Sequence, residues 1–337
     1  MAARAVIFGC GGTTLTPEEL RFFTSRDPWG YILFARNVEN PEQLRALTDS
    51  LRQAVGRDAP VLIDQEGGRV ARLRGPHWRE WEPALDECQH FTDIDARAQA
   101  MRLRYRLMAA ELRSVGIDVN CAPVLDLVQE YSHAVLKNRC YGPDMQGVAT
   151  TGRAVAEGLM EGGVLPVIKH MPGQGRADLD SHKDLPVVST THTELTNTDF
   201  APFRALADLP MAMSAHVIYS DIDPTAPATL SPRMNTIMRQ EIGFDGLLMT
   251  DDLSMHALTG PFGKRAENAL AAGCDVVLHC NGDPNEMVPV ADAVPMLEGR
   301  SLERADAALA LRQDPQPADF EALEAEYAEL RERTVHA

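Results

Sequence analysis

Short apolar runs recur along this 337-residue chain, at Ala5–Cys10, Gly30–Phe34, Val61–Asp64, Val119–Asp126, Leu165–His170, Met211–His216, Leu247–Asp251 and Asp275–Cys280. Many are continuous rather than alternating, as strands are when both faces of a parallel sheet are buried. Helix-like stretches follow many of the runs, and several announce their starts. Thr16-Pro17-Glu18-Glu19 combines a capping threonine, a proline at the first helical position and a glutamate that can close a capping box. Asn40-Pro41, Ser231-Pro232 and Asp283-Pro284 repeat the cap-then-proline pattern. Between Asp93 and Val115, Ala100, Leu103, Leu107 and Ala110 keep helical spacing, and Gly116 supplies a left-handed stop.

Eight strand candidates alternating with helices predict an α/β fold, a single (β/α)8 TIM-like barrel. A doubly wound sheet competes, but Gly9-Cys10-Gly11-Gly12 after the first run lacks the spacing of a dinucleotide-binding turn. Beyond Gly299 the pattern is helical, over Ser301–Arg312 and Ala318–Arg333, with a break at Asp314-Pro315-Gln316-Pro317. The expected organisation is one barrel over residues 1–300 with extra C-terminal helices, 301–337, packed on it.

Composition narrows the range of partners. With 49 acidic and 32 basic side chains the formal charge is −17, which argues against a nucleic-acid or anionic-membrane surface. No apolar run approaches the roughly 20 residues that span a bilayer. The stretch Met1 to Pro17 lacks the basic start, apolar core and cleavage site of a secretory signal. Cys10, Cys88, Cys121, Cys140, Cys274 and Cys280 show no Cys-x-x-Cys spacing, and read as reduced buried thiols. A cytoplasmic protein with no cofactor and no resident metal is expected.

In a barrel the chemistry sits at the carboxyl ends of the strands. Those ends read Asp64, Asp126, Lys169-His170, His216, Asp251-Asp252 and His279. Three segments stand out. Asp64-Gln65-Glu66-Gly67-Gly68-Arg69-Val70-Ala71-Arg72 sets an acidic strand end, a Gly-Gly turn and a basic return side by side. A carboxylate and a guanidinium facing one pocket suit a polyhydroxylated ligand, and equally form a buried ion pair. Lys169 to His182 runs from a strand end into a glycine-rich polar loop, where Asp180 could orient His182 as a proton shuttle. The same spacing is that of a surface loop with an incidental histidine. In Gly246 to Met255, Asp251 ends an apolar run where a carboxylate can act as nucleophile, and Asp252 is expected to point away or cap the next turn.

Together these segments resemble the bacterial β-N-acetylglucosaminidases of glycoside hydrolase family 3, the short single-domain type of peptidoglycan recycling. The matching stretches are Asp64 to Arg72, Val119 to Leu127, Asn138 to Tyr141, Lys169 to His182 and Gly243 to Met255. The resemblance implies a TIM-like barrel and retaining removal of terminal N-acetylglucosamine, including from GlcNAc-1,6-anhydro-MurNAc. It implies Asp251 as nucleophile, His182 as acid/base with Asp180 as its partner, and Asp64, Arg72, Arg139, Lys169 and His170 as the residues holding the sugar. Two departures are visible: Met171 and Gln174 replace the family's phenylalanine and second histidine, and Lys137-Asn138 precedes Arg139 where the family has Gly-Glu/Asp. Two rivals remain. A metal-dependent amidohydrolase would read His170, His182, His216 and Asp251 as ligands, although Phe8-Gly9-Cys10 lacks the usual His-x-His. A catalytically inactive sugar-binding protein is the other. His216, His279 and Asp126 receive no catalytic role, Asp126 being read as ordering its loop.

Overall fold

The computed structural model describes residues 3–177, 179 and 184–335. Eight parallel strands close into a barrel: Arg4–Phe8, Pro28–Leu33, Val61–Ile63, Val119–Asn120, Leu165–Met171, Met211–Ser214, Leu247–Asp252 and Val276–His279. Each lies within or overlaps one of the eight apolar runs, and the first pairs with the eighth to complete the circle. The expected single TIM-like barrel is the observed fold.

The helix signals act as physical chemistry predicts. Thr16 caps Pro17–Arg26 and closes a capping box with Glu19. Asn40, Ser231 and Asp283 cap the helices that begin at Pro41, Pro232 and Pro284. Gly116 takes a left-handed φ of 80° just beyond the helix Ile94–Ser114.

One strand is shorter than expected. The run Val119–Asp126 yields only Val119–Asn120 and an isolated bridge between Val124 and Lys169. Pro123 has no N–H to give to a ladder, so regular pairing stops before it. A parallel pair of two-residue strands, Val187–Val188 and Ile218–Tyr219, lies outside the barrel and has no counterpart in the apolar pattern.

Two apolar cores divide the strand positions by parity. Ala5, Ile7, Leu62, Val167, Met213, Met249 and Leu278 fill the barrel interior. Val6, Phe8, Ile63, Ile168, Ala212, Leu248 and Val277 face the helical shell. Beyond the barrel, Gly299–Ala310 inserts Ala305 and Ala308 at the inner core, and Phe320–Val335 lies against Ile94–Ser114.

Buried carboxylates at the strand starts fasten this assembly. Asp275 accepts from Leu248 N at 2.9 Å, Arg239 Nη2 at 2.6 Å, Ser301 Oγ at 2.8 Å and Arg304 Nη1 at 3.1 Å. It thereby joins a barrel strand to the helix Gly299–Ala310. Asp118 does the same for Val61 N, Arg52 and Arg312. Removing one member of such a buried set leaves uncompensated charge. Asp275→Ala should therefore lower stability by about 3 kcal/mol, read as a shift in denaturant midpoint. Because Asp275 lies at the end of the barrel opposite the chemistry, kcat and KM of the folded variant should stay within about twofold of the parent.

Candidate active site

The two-residue period of a strand continues past its last apolar residue. One step beyond inward-facing Leu62, Val167 and Met249 come Asp64, Lys169 and Asp251. Barrel closure alone therefore turns two carboxylates and an ammonium toward one axis. All three line a cavity of about 360 Å³, together with Arg72, Arg139 and His170. The sequence expected these six at one site, and the fold brings them together.

Five of the six belong to a continuous polar chain. Arg72 Nη2 donates to Asp64 Oδ2 at 3.0 Å, and Lys169 Nζ donates to Asp64 Oδ1 at 2.8 Å. The same ammonium lies 2.6 Å from Glu66 Oε1. Glu66 in turn receives both edges of the Arg139 guanidinium, Nε at 2.9 Å and Nη2 at 2.8 Å. Arg139 Nη2 also approaches His170 Nε2 at 3.4 Å, while His170 Nδ1 lies 2.7 Å from Asp126 Oδ2. A guanidinium can only donate, so the tautomer that fits both contacts has its lone pair at Nε2 and gives its Nδ1 proton to Asp126.

Charge pairing overrides burial at Asp64, Glu66 and Lys169. Burial alone would raise the Asp64 carboxyl, but Lys169 and Arg72 hold it well below the ordinary carboxylate range. Burial likewise opposes ionised Glu66, yet Arg139 and Lys169 bring it down to about 2. Lys169 would lose its proton more readily for being buried, and Asp64 and Glu66 reverse that, raising it above the usual lysine value. At the rim the Arg72 guanidinium also lies over the Phe34 ring, 5.1 Å from its centroid.

Across the cavity, Asp251 Oδ1 accepts from the backbone N–H of Asp252 at 2.8 Å. The Asp252 carboxylate takes Ser254 N at 3.0 Å, Ser254 Oγ at 2.5 Å and Cys280 N at 3.1 Å. It thus caps the following turn, as expected, while still lining the cavity wall. His216 is buried beside this strand, outside the cavity lining, and burial lowers its proton affinity. His279 faces the helical shell between Phe8 and Phe262, with Glu286 at 3.5 Å. Asp180 and His182 lie outside the described residues. Among the described residues no group of three His, Cys, Asp or Glu side chains is disposed to hold a metal ion.

Two members of the site escaped the sequence reading. Glu66 sits inside the expected Asp64–Arg72 segment and is 1% exposed, yet strand ends alone do not distinguish it from a turn residue. A glutamate flanked by Gly-Gly in an otherwise apolar-to-basic segment was the available signal. Asp126 was read as ordering its loop, which it does by accepting Gln174 N at 2.8 Å, but it also sets the His170 tautomer.

Glu66 carries a pH prediction. A carboxyl held at about 2 rather than 4.5 adds stability that is complete above 4.5 and disappears as pH falls through 2. Glu66→Gln should be less stable than the parent at pH 7 by about 2 kcal/mol or more. It should also lose less stability than the parent between pH 4.5 and 2. Denaturant midpoints measured across that range check both, and parallel acid limbs would show that the Glu66 charge is not part of the network.

Comparisons with known proteins agree with this geometry. Residues 26–309 match the family model described as Glycosyl hydrolase family 3 N terminal domain. A beta-hexosaminidase of Alkalilimnicola ehrlichii is 39% identical over 282 residues, covering 82% of this chain and 80% of that protein. One from Pseudomonas aeruginosa is 39% identical over 281 residues, with 82% of each covered. Among solved structures, NagZ from Neisseria gonorrhoeae in complex with N-trifluoroacetyl-D-glucosamine superposes with a TM-score of 0.85 at 31% identity, covering 98% of this chain and 99% of that one. The same gonococcal protein in complex with zinc ion gives 0.86 at 30% identity, again with 98% and 99% covered. With its barrel, its cavity of paired charges and a family match over most of its length, this chain belongs to glycoside hydrolase family 3.

Proposed function

We propose that the protein is a retaining β-N-acetylhexosaminidase that removes terminal β-linked N-acetylglucosamine from peptidoglycan fragments such as GlcNAc-1,6-anhydro-MurNAc, with or without peptide. Its setting is cytoplasmic cell-wall recycling. The observation that carries this reading is the facing of Asp251, across one cavity, with the Asp64–Arg72–Lys169 cluster. A sugar hydroxyl both donates and accepts, and that cluster offers fixed partners of both kinds. The cavity, about 360 Å³, is at the small end of ligand sites, which run from roughly 300 to 1,000 Å³. It suits one buried sugar with its leaving group outside.

In the first step protonated His182 donates to the departing glycosidic oxygen while Asp251 attacks the anomeric carbon, giving a covalent glycosyl-enzyme. In the second step neutral His182 takes a proton from water as that water releases the sugar. An unperturbed imidazole titrates near ~6.5, so it can donate and accept near neutral pH. Asp180 favours the imidazolium and fixes the ring. Asp64, Arg72, Arg139, Lys169 and His170 bind and orient the terminal sugar. No helix among the described residues is long and apolar enough to cross a membrane.

Two variants separate the roles. Asp251→Asn should abolish turnover of every substrate, and a fluorinated sugar trap should add its mass at Asp251 in the parent. His182→Ala should cripple hydrolysis of alkyl N-acetylglucosaminides but spare the first step on an activated aryl one, whose leaving group needs little protonation. Equal losses on both substrates would remove His182 as the acid. Product analysis on an N-acetylglucosaminyl-anhydromuramyl fragment should show N-acetylglucosamine released first as the β-anomer. Release of the α-anomer would overturn the two-step mechanism.

A further inference from the structure

His216 is buried and does not line the cavity, yet its ring is tied to the strand that carries Asp251. Its Nε2 lies 3.0 Å from the backbone carbonyl oxygen of Asp252, and its Nδ1 lies 2.8 Å from Thr229 Oγ1. A carbonyl oxygen only accepts, so Nε2 must carry the proton. Burial favours the neutral ring, which leaves the lone pair on Nδ1 to accept from the Thr229 hydroxyl. That hydroxyl is itself 2.8 Å from Ser214 Oγ, which can donate to it, and its one proton is shared between His216 Nδ1 and the Ala215 carbonyl, 3.0 Å away. Strand-end serine, buried threonine and histidine thus form a relay that fixes one tautomer and one ring plane.

What the ring holds is the peptide unit joining Asp252 to Leu253. The carbonyl of that unit accepts from His216, and its N–H donates to Leu278 O at 2.9 Å on the neighbouring strand. Both faces of the plane are therefore anchored. On the other side of the Asp252 Cα, the backbone N–H donates to Asp251 Oδ1. The Asp252 side chain is anchored separately by Ser254 and Cys280. Rotation at Asp252 would swing the N–H that aims the Asp251 carboxylate, and His216 is the side chain that restrains its carbonyl.

We infer that His216 is a positioning residue for attack by Asp251, acting through the Asp252 main chain and held by Thr229. The inference rests on Asp251 being the nucleophile. Near-attack geometry tolerates little displacement, and a misplacement of about 1 Å can cost about 100-fold.

The test uses the full chain and a chromogenic aryl N-acetylglucosaminide. His216→Leu, which removes the donor, should lower kcat about 10–100-fold with KM within about twofold. His216→Gln, which can still donate to the Asp252 carbonyl, should recover most of that loss. Thr229→Val, on a different element, should give a smaller fall in kcat and covers the case in which His216→Leu does not fold. Unchanged kcat in folded His216→Leu, a loss confined to KM, failure of glutamine to rescue, or parental kcat in Thr229→Val would each overturn the inference. Asp251→Asn measured alongside keeps the two readings apart. Surviving turnover in that variant sinks the nucleophile assignment itself, whereas its loss with an indifferent His216→Leu sinks only the positioning role.

Discussion

The mouth of the barrel is held by a single ammonium group. Lys169, 1% exposed, bonds Asp64 at the end of one strand and Glu66 in the turn that follows. Glu66 clamps Arg139, Arg139 reaches His170, and His170 is bound by Asp126 beyond a further strand. Removing an ion from water costs several kcal/mol even after relaxation, and only several well-aimed partners offset it. Each charge in the chain has at least one such partner, so no member can leave without stranding another. The side chains of this network are therefore held in place before any ligand enters.

Much of this was written in the pattern of the chain. Strand location followed from apolar runs because a barrel strand is buried on both sides, and the inward position of Asp64, Lys169 and Asp251 followed from a period of two. The helix starts were legible because capping is local chemistry between neighbours. What stayed hidden was non-local. Glu66 matters through Arg139, 73 residues away, and no local period encodes that distance. The early end of this strand at Asn120 was readable in principle, since Pro123 just beyond it has no donor for a ladder, but the apolar run concealed it. The short pair Val187–Val188 and Ile218–Tyr219 is too brief to show any alternation. His216 looked like one more strand-end histidine, and only its contact with the Asp252 carbonyl gives it a place in the site.

The net charge of −17 is not concentrated in this cluster. Arg72, Lys169 and Arg139 are matched by Asp64, Glu66 and Asp126, three cations against three carboxylates. A neutral but strongly polar wall suits an uncharged sugar, because charge-assisted hydrogen bonds are strong and these are already oriented. Asp251 and Asp252 lie on the opposite wall of the cavity, at the end of their strand. Glycoside cleavage passes through an oxocarbenium-like state with positive charge at the anomeric carbon. On the proposed mechanism, a polar wall for the hydroxyls and carboxylates near that carbon would favour the transition state over the neutral substrate, and differential stabilisation of this kind is what accelerates a reaction.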